Sequence, residues 1–372
     1  MQNILIVGAG FAGAVYAREL AENGYNVDVI DRRDHIAGNA YDERTTNGIL
    51  VHKYGPHLFH TNNEKVYVWL SKFTEWYHYT HKVIALYQNK RCPLPINRET
   101  INHVFNLNLT NRLEALSFIE TLRTKIPNAK NAKEVLHNKI GVKLTEIFFE
   151  PYTEKMWGMS LTEMEASIVE RLNFDLKEEG QYFPNDKYQV MPLNGYTALF
   201  QNIFNHPNIR VSLNTIYRKE MSSGYHHTFN SMPIDEYYDF AHGELPYRSI
   251  KFTTENGLYT ESYTTVNFTD TAKYTRATYW NNLNQNPSLD NNTIRTLEEP
   301  CNYKDNNFER YYPVKDIAGD HKKTFLKYLD MANEQDNITF IGRCGTYQYL
   351  DMHQVINQSL QGVSKYIGKN TA

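Results

Sequence analysis

At 372 residues the chain is too long for one small hydrophobic core, so two or three domains or subdomains are expected. A net charge of −3, from 39 basic and 42 acidic residues, excludes bulk attraction to nucleic acid or an anionic membrane, so any anionic ligand has to be held by local arginines. Cys92, Cys301 and Cys344 stand far apart with no CxxC or Cys/His spacing, which excludes a disulfide framework and a cysteine metal centre and points to a reduced, cytoplasmic setting.

The first predicted strand is the β-branched run 3–7, followed by Gly8-Ala9-Gly10-Phe11-Ala12-Gly13. Residues 14–23 read as a helix that ends at Gly24, and residues 25–30 as a second strand that closes at Asp31. This is a βαβ unit of the length a dinucleotide-binding fingerprint needs, with an acid 18 residues beyond Gly13. Gly8 allows the tight turn, Gly10 lets backbone approach a pyrophosphate, and Gly13 lets the helix pack close to the strand. The first-turn N–H groups, including those of Phe11 and Ala12, then face the anion, and Asp31 accepts from a ribose diol. The apolar segment 4–17 has the hydropathy of a signal peptide, but it lacks a basic n-region and contains the fingerprint, so it reads as folded structure.

Mixed helix and strand signals fill 64–90, and Pro93 and Pro95 break the chain. Residues 98–172 look mainly helical, with apolar stripes at helical spacing over 110–125 and 132–149 that read as core packing. Over 245–278 the pattern alternates and is rich in Ser, Thr, Tyr and Phe, which predicts antiparallel strands with one wet face. Residues 281–292 read as an Asn-rich loop, 337–341 as a buried strand and 352–367 as a last helix, with a frayed tail over 368–372. No apolar run has the length of a membrane span.

The fingerprint does not by itself choose between NAD and FAD. The string Asp31-Arg32-Arg33-Asp34-His35-Ile36-Ala37-Gly38-Asn39-Ala40 resembles the second-strand extension of glutathione-reductase-like and amine-oxidase-like flavoproteins, with Ala37 where one glycine of a pair is usual. That resemblance implies FAD, with Arg32 and Asn39 beside it.

Further strings narrow the resemblance. These are Tyr54-Gly55-Pro56-His57-Leu58-Phe59-His60-Thr61, Pro151-Tyr152-Thr153-Glu154-Lys155-Met156-Trp157-Gly158, Pro233-Ile234-Asp235-Glu236, Tyr274-Thr275-Arg276, Tyr311-Tyr312-Pro313-Val314 and Asp351-Met352-His353-Gln354. In this order, across nearly the whole chain, they resemble the bacterial UDP-galactopyranose mutases. The resemblance implies an α/β fold: a Rossmann-type FAD-binding domain with an inserted helical domain and a twisted antiparallel β-sheet domain. The expected bounds are 1–64, 190–235 and 313–372 for the FAD domain, 98–172 for the helical domain, and 65–97, 173–189 and 236–312 for the sheet domain.

The implied activity is isomerisation of a nucleotide-diphosphate sugar, UDP-linked by resemblance, between pyranose and furanose forms. It would run through an adduct with N5 of reduced FAD (FADH−), in a cytoplasmic homodimer supplying furanose donors for surface polysaccharide, with no metal. Arg171, fourteen residues after Trp157, and Arg276 are the implied diphosphate clamps. Tyr182, Tyr312, Tyr347 and Tyr349 match family tyrosines, several of which should donate hydroxyls to phosphate. Tyr152 is placed to stack on the base, Trp157 reads equally as cleft lining or core, and His81 and Arg248 are further substrate matches. Glu298 aligns only loosely with a family glutamate. His57, Leu58 and His60 lie in the loop expected to face the flavin, with Arg343 at the flavin edge or pyrophosphate and Asp351 and Met352 at the ribityl region.

The chain departs from the family pattern at Asp175, at Ala277-Thr278-Tyr279-Trp280-Asn281-Asn282 and at Arg310, which restores the positive charge missing at 175. These departures leave open another nucleotide sugar, such as a 6-deoxyhexose, heptose or N-acetylhexosamine. Two other classes share the fold: a flavin oxidoreductase of the amine oxidase or monooxygenase type, and a non-catalytic nucleotide-sugar sensor.

Overall fold

The structure is a computed structural model that describes residues 2–170, 172, 174, 176, 181–283 and 293–370. The first βαβ unit forms as expected: strand Asn3–Val7, helix Phe11–Glu22, strand Asn26–Ile30. These strands enter a five-stranded parallel sheet in the order Ile209–Ser212, Asn26–Ile30, Asn3–Val7, His227–Asn230, Ile338–Phe340. Ile4 lies opposite both Val27 and His227. Strand Asn3–Val7 is central and its Ile4, Leu5, Ile6 and Val7 are all buried, which is why it reads as an unbroken apolar run. Helix Phe11–Glu22 packs against the last helix, Met352–Asn370, and against Tyr196–Phe204. The last helix runs through residues 368–370, where fraying was expected.

Residues 98–157 carry helices Arg98–Phe105, Arg112–Leu122, Ala132–Ile140, Val142–Phe148 and Glu150–Trp157. The side chains of Asn97, Asn111 and Asn131 cap three of them by accepting a backbone N–H three residues on. The stripe over 132–149 is two helices rather than one. Gly141 breaks it at φ +81°, and a Cβ there would run into the Leu122 carbonyl. The stripes do pack as core: Ile101, Ile119, Leu136, Ile140, Leu144 and Phe148 are buried together.

The second large sheet has seven strands, ordered Tyr312–Pro313, Tyr247–Gly257, Thr293–Asn302, Arg276–Tyr279, Thr265–Phe268, Val83–Tyr87, Lys90–Leu94. The expected antiparallel pairing holds except where Thr265–Phe268 meets Val83–Tyr87, which is parallel. Alternation reports a half-wet face but carries no strand direction. Register puts Asn267 opposite Arg276, Arg276 opposite Glu298, and Glu298 opposite Phe252, one row across four strands. A small antiparallel sheet of Phe59–Thr61, Tyr188–Pro192 and Trp76–His78 holds the His57–His60 loop.

Candidate active site

The glycine turn is built around backbone approach. Gly8 has φ +105° and a Cβ on it would overlap the Ser231 hydroxyl, while one on Gly13 would overlap the Gly8 carbonyl. Gly10 faces Gly38, where a Cβ on Gly38 would lie 3.1 Å from the Gly10 Cα. Gly10 caps helix Phe11–Glu22 with no side-chain acceptor, so the first-turn N–H groups of Phe11, Ala12 and Gly13 are left to a ligand. The Phe11 ring itself is core, against Phe200 and Tyr196. The Asp31 carboxylate braces the turn, accepting from Ala9 N at 2.8 Å and from Arg33 N at 2.9 Å, and each oxygen keeps a lone pair for a diol. Ala37 sits at φ +73° with its N–H on the Ala9 carbonyl, so the position needs a left-handed residue and Ala bears the strain. Glycines that admit backbone, a bare helix start and a doubly seated acid fit a dinucleotide pyrophosphate and ribose.

Arg32 and Arg33 converge on Glu309, at 3.2 and 2.5 Å, and Arg33 also donates to Asn39 Oδ1 at 3.0 Å. Glu309 was missed in the sequence because it is 276 residues from Arg33. Arg343 lies over the rings of Tyr312 and Tyr349, each at 5.3 Å, and its Nε is buried without a hydrogen-bond partner. Asp351 precedes the last helix, where its N–H is taken by Gln354 and its carbonyl by Gln354 and Val355, and Met352 begins that helix.

Trp157, Tyr312 and Tyr349 form one aromatic group: Tyr312 stacks on Tyr349 at 5.3 Å, and Trp157 lies 5.8 and 6.1 Å from them. Trp157 thus joins this group on one side and packs against the helical core on the other. Helix Glu150–Trp157, which carries Tyr152 and Trp157, ends at Gly158 with φ +67°. Arg248 donates to its Lys155 and Met156 carbonyls, both at 3.0 Å, the favourable place for a cation. Lys155 donates to the Phe268 and Tyr274 carbonyls, at 2.9 and 2.8 Å, and so holds this helix against the chain leading into Arg276. In the sequence Lys155 stands within the Pro151–Gly158 string with no contact assigned to it.

Arg276 donates to the Tyr152 hydroxyl at 3.1 Å and lies 3.7 Å from Glu298 Oε1. The Glu298 side chain is 3% exposed and that of Arg276 24%. Burial works against the Arg276 charge, but Glu298 foremost outweighs it, and the guanidinium pKa lies well above its ordinary value. Burial raises the Glu298 pKa, and Arg276 works in the opposite sense. A Cβ on Gly55 would lie 3.2 Å from Glu298 Oε1, so the loosely aligned glutamate does reach the loop of His57 and His60.

In that loop His57 donates from Nδ1 to the Gly55 carbonyl at 2.9 Å, and its backbone N–H is accepted by His52 Nδ1 at 3.0 Å. Burial pushes the His57 pKa down to about 3. His60 donates from Nδ1 to Asp186 at 2.6 Å and stacks on Phe183 at 3.5 Å. The Leu58 side chain packs on the main core. His81 lies at the same end, its ring 5.6 Å from that of Tyr182, whose N–H donates to the His81 carbonyl.

Two expectations are corrected. Tyr347 is 6% exposed and its hydroxyl points to two carbonyls, Val314 at 2.6 Å and Pro246 at 3.0 Å, so its one proton is unavailable to phosphate. Its role is core packing among Tyr237, Tyr247 and Tyr328. Arg310 does not supply a spare positive charge. It donates to Glu236 at 2.6 Å and packs over the Tyr303 ring at 4.7 Å. In the departing stretch 277–282, Trp280 is fully buried and bonds Thr296, so that change is a core feature. Arg171 and Asp175 lie outside the described residues.

Residues 147–349 match the family described as UDP-galactopyranose mutase, and residues 6–73 match an NAD(P)-binding Rossmann-like domain. The chain is 37% identical over 374 residues to a probable UDP-galactopyranose mutase of Klebsiella pneumoniae, covering 98% of this chain and 95% of that one. It is 36% identical over 382 residues to a dTDP-fucopyranose mutase of Escherichia coli, covering all of both. The fold matches a crystal structure of reduced UDP-galactopyranose mutase with a TM-score of 0.75 at 17% identity, covering 99% of this chain and 96% of that one.

Proposed function

Because the chain belongs to the UDP-galactopyranose mutase family, we propose that it is an FAD-dependent isomerase that interconverts pyranose and furanose forms of a nucleotide-diphosphate sugar. Its substrate is UDP-galactopyranose or a dTDP-linked 6-deoxyhexose, the two chemistries carried by relatives of near-equal similarity. The observation that carries the reading is Arg276. A charged, largely buried guanidinium donates to Tyr152 beside the Trp157–Tyr312–Tyr349 group, on whose rings Arg343 lies. That arrangement suits a diphosphate leaving group next to a dinucleotide site.

Reduced flavin, when bound, supplies the nucleophile for the anomeric carbon and is regenerated without net redox change. The chain's own residues do the rest. Arg276 meets the charge that develops on the departing diphosphate, and the family resemblance assigns Arg171 the same role. Tyr312 and Tyr349 donate hydroxyls and exclude water, and Glu298 fixes Arg276 in its row of the sheet. Gly8, Gly10, Gly13 and Asp31 hold the pyrophosphate and ribose, and His57 and His60 line the flavin. We also propose a cytoplasmic homodimer.

The test is incubation of dithionite-reduced, FAD-loaded protein with UDP-galactopyranose and with dTDP-fucopyranose, with furanose products read by NMR. Furanose from one of them, absent with oxidised protein, is expected. Turnover that consumes an electron acceptor, or equal rates in both redox states, refutes the reading.

A further inference from the structure

A hydrogen-bond chain runs away from His81 into the seven-stranded sheet, and its direction can be read from its far end. The Asn282 carbonyl can only accept, and Thr264 Oγ1 donates to it at 3.3 Å. The Tyr79 hydroxyl donates to Thr264 Oγ1 at 2.7 Å. A phenol has one proton, so towards His81 Nδ1, at 3.3 Å, the Tyr79 oxygen must accept. His81 therefore carries its proton on Nδ1. Its Nε2 is a bare lone pair with no hydrogen-bond partner among the described residues.

The far end is immobilised. Asn282 Nδ2 donates to the Glu261 and Tyr263 carbonyls at 2.7 and 3.1 Å, and Tyr279 N donates to the Thr264 carbonyl at 2.8 Å. His81 is 4% exposed. Burial, with Arg276 and His60 nearby, pushes its pKa down to about 3, so the ring stays neutral. A neutral acceptor does nothing for a phosphate, which Arg276 serves, and suits a ligand hydroxyl.

We propose that Tyr79 and Thr264 are positioning residues that hold His81 in its Nδ1–H tautomer, so that Nε2 is a fixed acceptor for a hydroxyl of the bound nucleotide sugar. The proposal rests on the mutase reading for its ligand, but the tautomer stands apart from that reading. It also gives the divergent stretch 277–282 a part in recognition, through the Asn282 carbonyl. A hydroxyl received this way discriminates against a ligand that lacks it, because a bound ligand closes the acceptor off from water and leaves it unpaired.

The test uses FAD-loaded protein with 15N-labelled histidine, and His81→Gln assigns the signal. Two-bond 1H–15N spectra distinguish Nδ1–H from Nε2–H. The wild type is expected to show Nδ1–H through neutral pH. Thr264→Val removes the acceptor for Tyr79, whose proton then turns to His81 Nδ1 and drives the ring to Nε2–H. The KM for the substrate sugar then rises about tenfold with a smaller change in kcat. Tyr79→Phe, which removes the relay at another point, gives mixed tautomers and an intermediate KM. If free nucleoside diphosphate weakens in parallel, the hydroxyl is on the ribose; if only the sugar-linked ligand weakens, it is on the hexose. Wild-type His81 protonated on Nε2 overturns the proposal, as does a flipped tautomer with unchanged KM. Absence of furanose product from a wild type with the expected spectrum refutes the mutase reading and leaves the tautomer assignment intact.

Discussion

Replacing Arg276 with alanine separates two roles of one side chain. At 3.7 Å from Glu298, a charge pair attracts by about 4–5 kcal/mol at an effective dielectric near 20. Burial of the carboxylate consumes much of this, and Glu298 Oε1 has no hydrogen bond to fall back on. Removing one partner of a buried pair costs about 3–5 kcal/mol. The 24% exposure of Arg276 lets water replace part of it, leaving roughly 2–3 kcal/mol. Without Arg276 the Glu298 pKa, already raised by burial, climbs further. A carboxylate whose folded pKa exceeds its unfolded value takes its proton in the folded state first, so stability falls as pH rises from the ordinary 4.5 through the shifted value. The melting deficit of Arg276→Ala is therefore larger at pH 8 than at pH 5.

Catalysis behaves differently. Loss of a donor that meets developing charge costs about 2–4 kcal/mol of transition-state stabilisation, or two to three decades in kcat. Arg276→Lys keeps the charge but not the fork and recovers only part. Adding Glu298→Gln to Arg276→Ala removes the stranded carboxylate, restoring melting temperature but not kcat. The assays are calorimetry at the two pH values and kcat on the active nucleotide sugar, with flavin content as control. Near-wild-type kcat in Arg276→Ala, or recovery of kcat by Glu298→Gln, refutes the assignment.

Asp31→Ala removes two charge-assisted acceptors from the glycine turn and should weaken FAD at least about tenfold, read by flavin fluorescence on titration. Tyr347→Phe should cost about 1 kcal/mol of stability and leave kcat unchanged, whereas Tyr349→Phe should lower kcat with little change in melting; the reverse pattern contradicts their placement. Ala37→Gly should stabilise by about 0.5–1 kcal/mol, since Ala37 holds a left-handed backbone, and a lower melting temperature counts against that account.

The chain's local patterns determined what depends on neighbours in sequence. The strand–glycine–helix–acid unit was legible because each role is set by backbone geometry within some thirty residues. The helices between residues 98 and 157 were legible because an amphipathic stripe has a period of its own. The motif strings named the family, and with it Arg276, Tyr312 and Trp157. What the tertiary structure alone decided lies in pairs far apart in the chain. Hydroxyl allegiance is one case: Tyr347 and Tyr349 look alike in sequence, yet Tyr347 is bound to carbonyls of Val314 and Pro246 while Tyr349 joins the aromatic group. Charge allegiance is another: Arg310 reads as a free cation until Glu236 neutralises it. Strand direction at Thr265–Phe268, the Arg276–Glu298 register and the relay from His81 to Asn282 complete the set. A hydrogen bond or ion pair forms where two groups meet in space and water is excluded, and folding alone sets both.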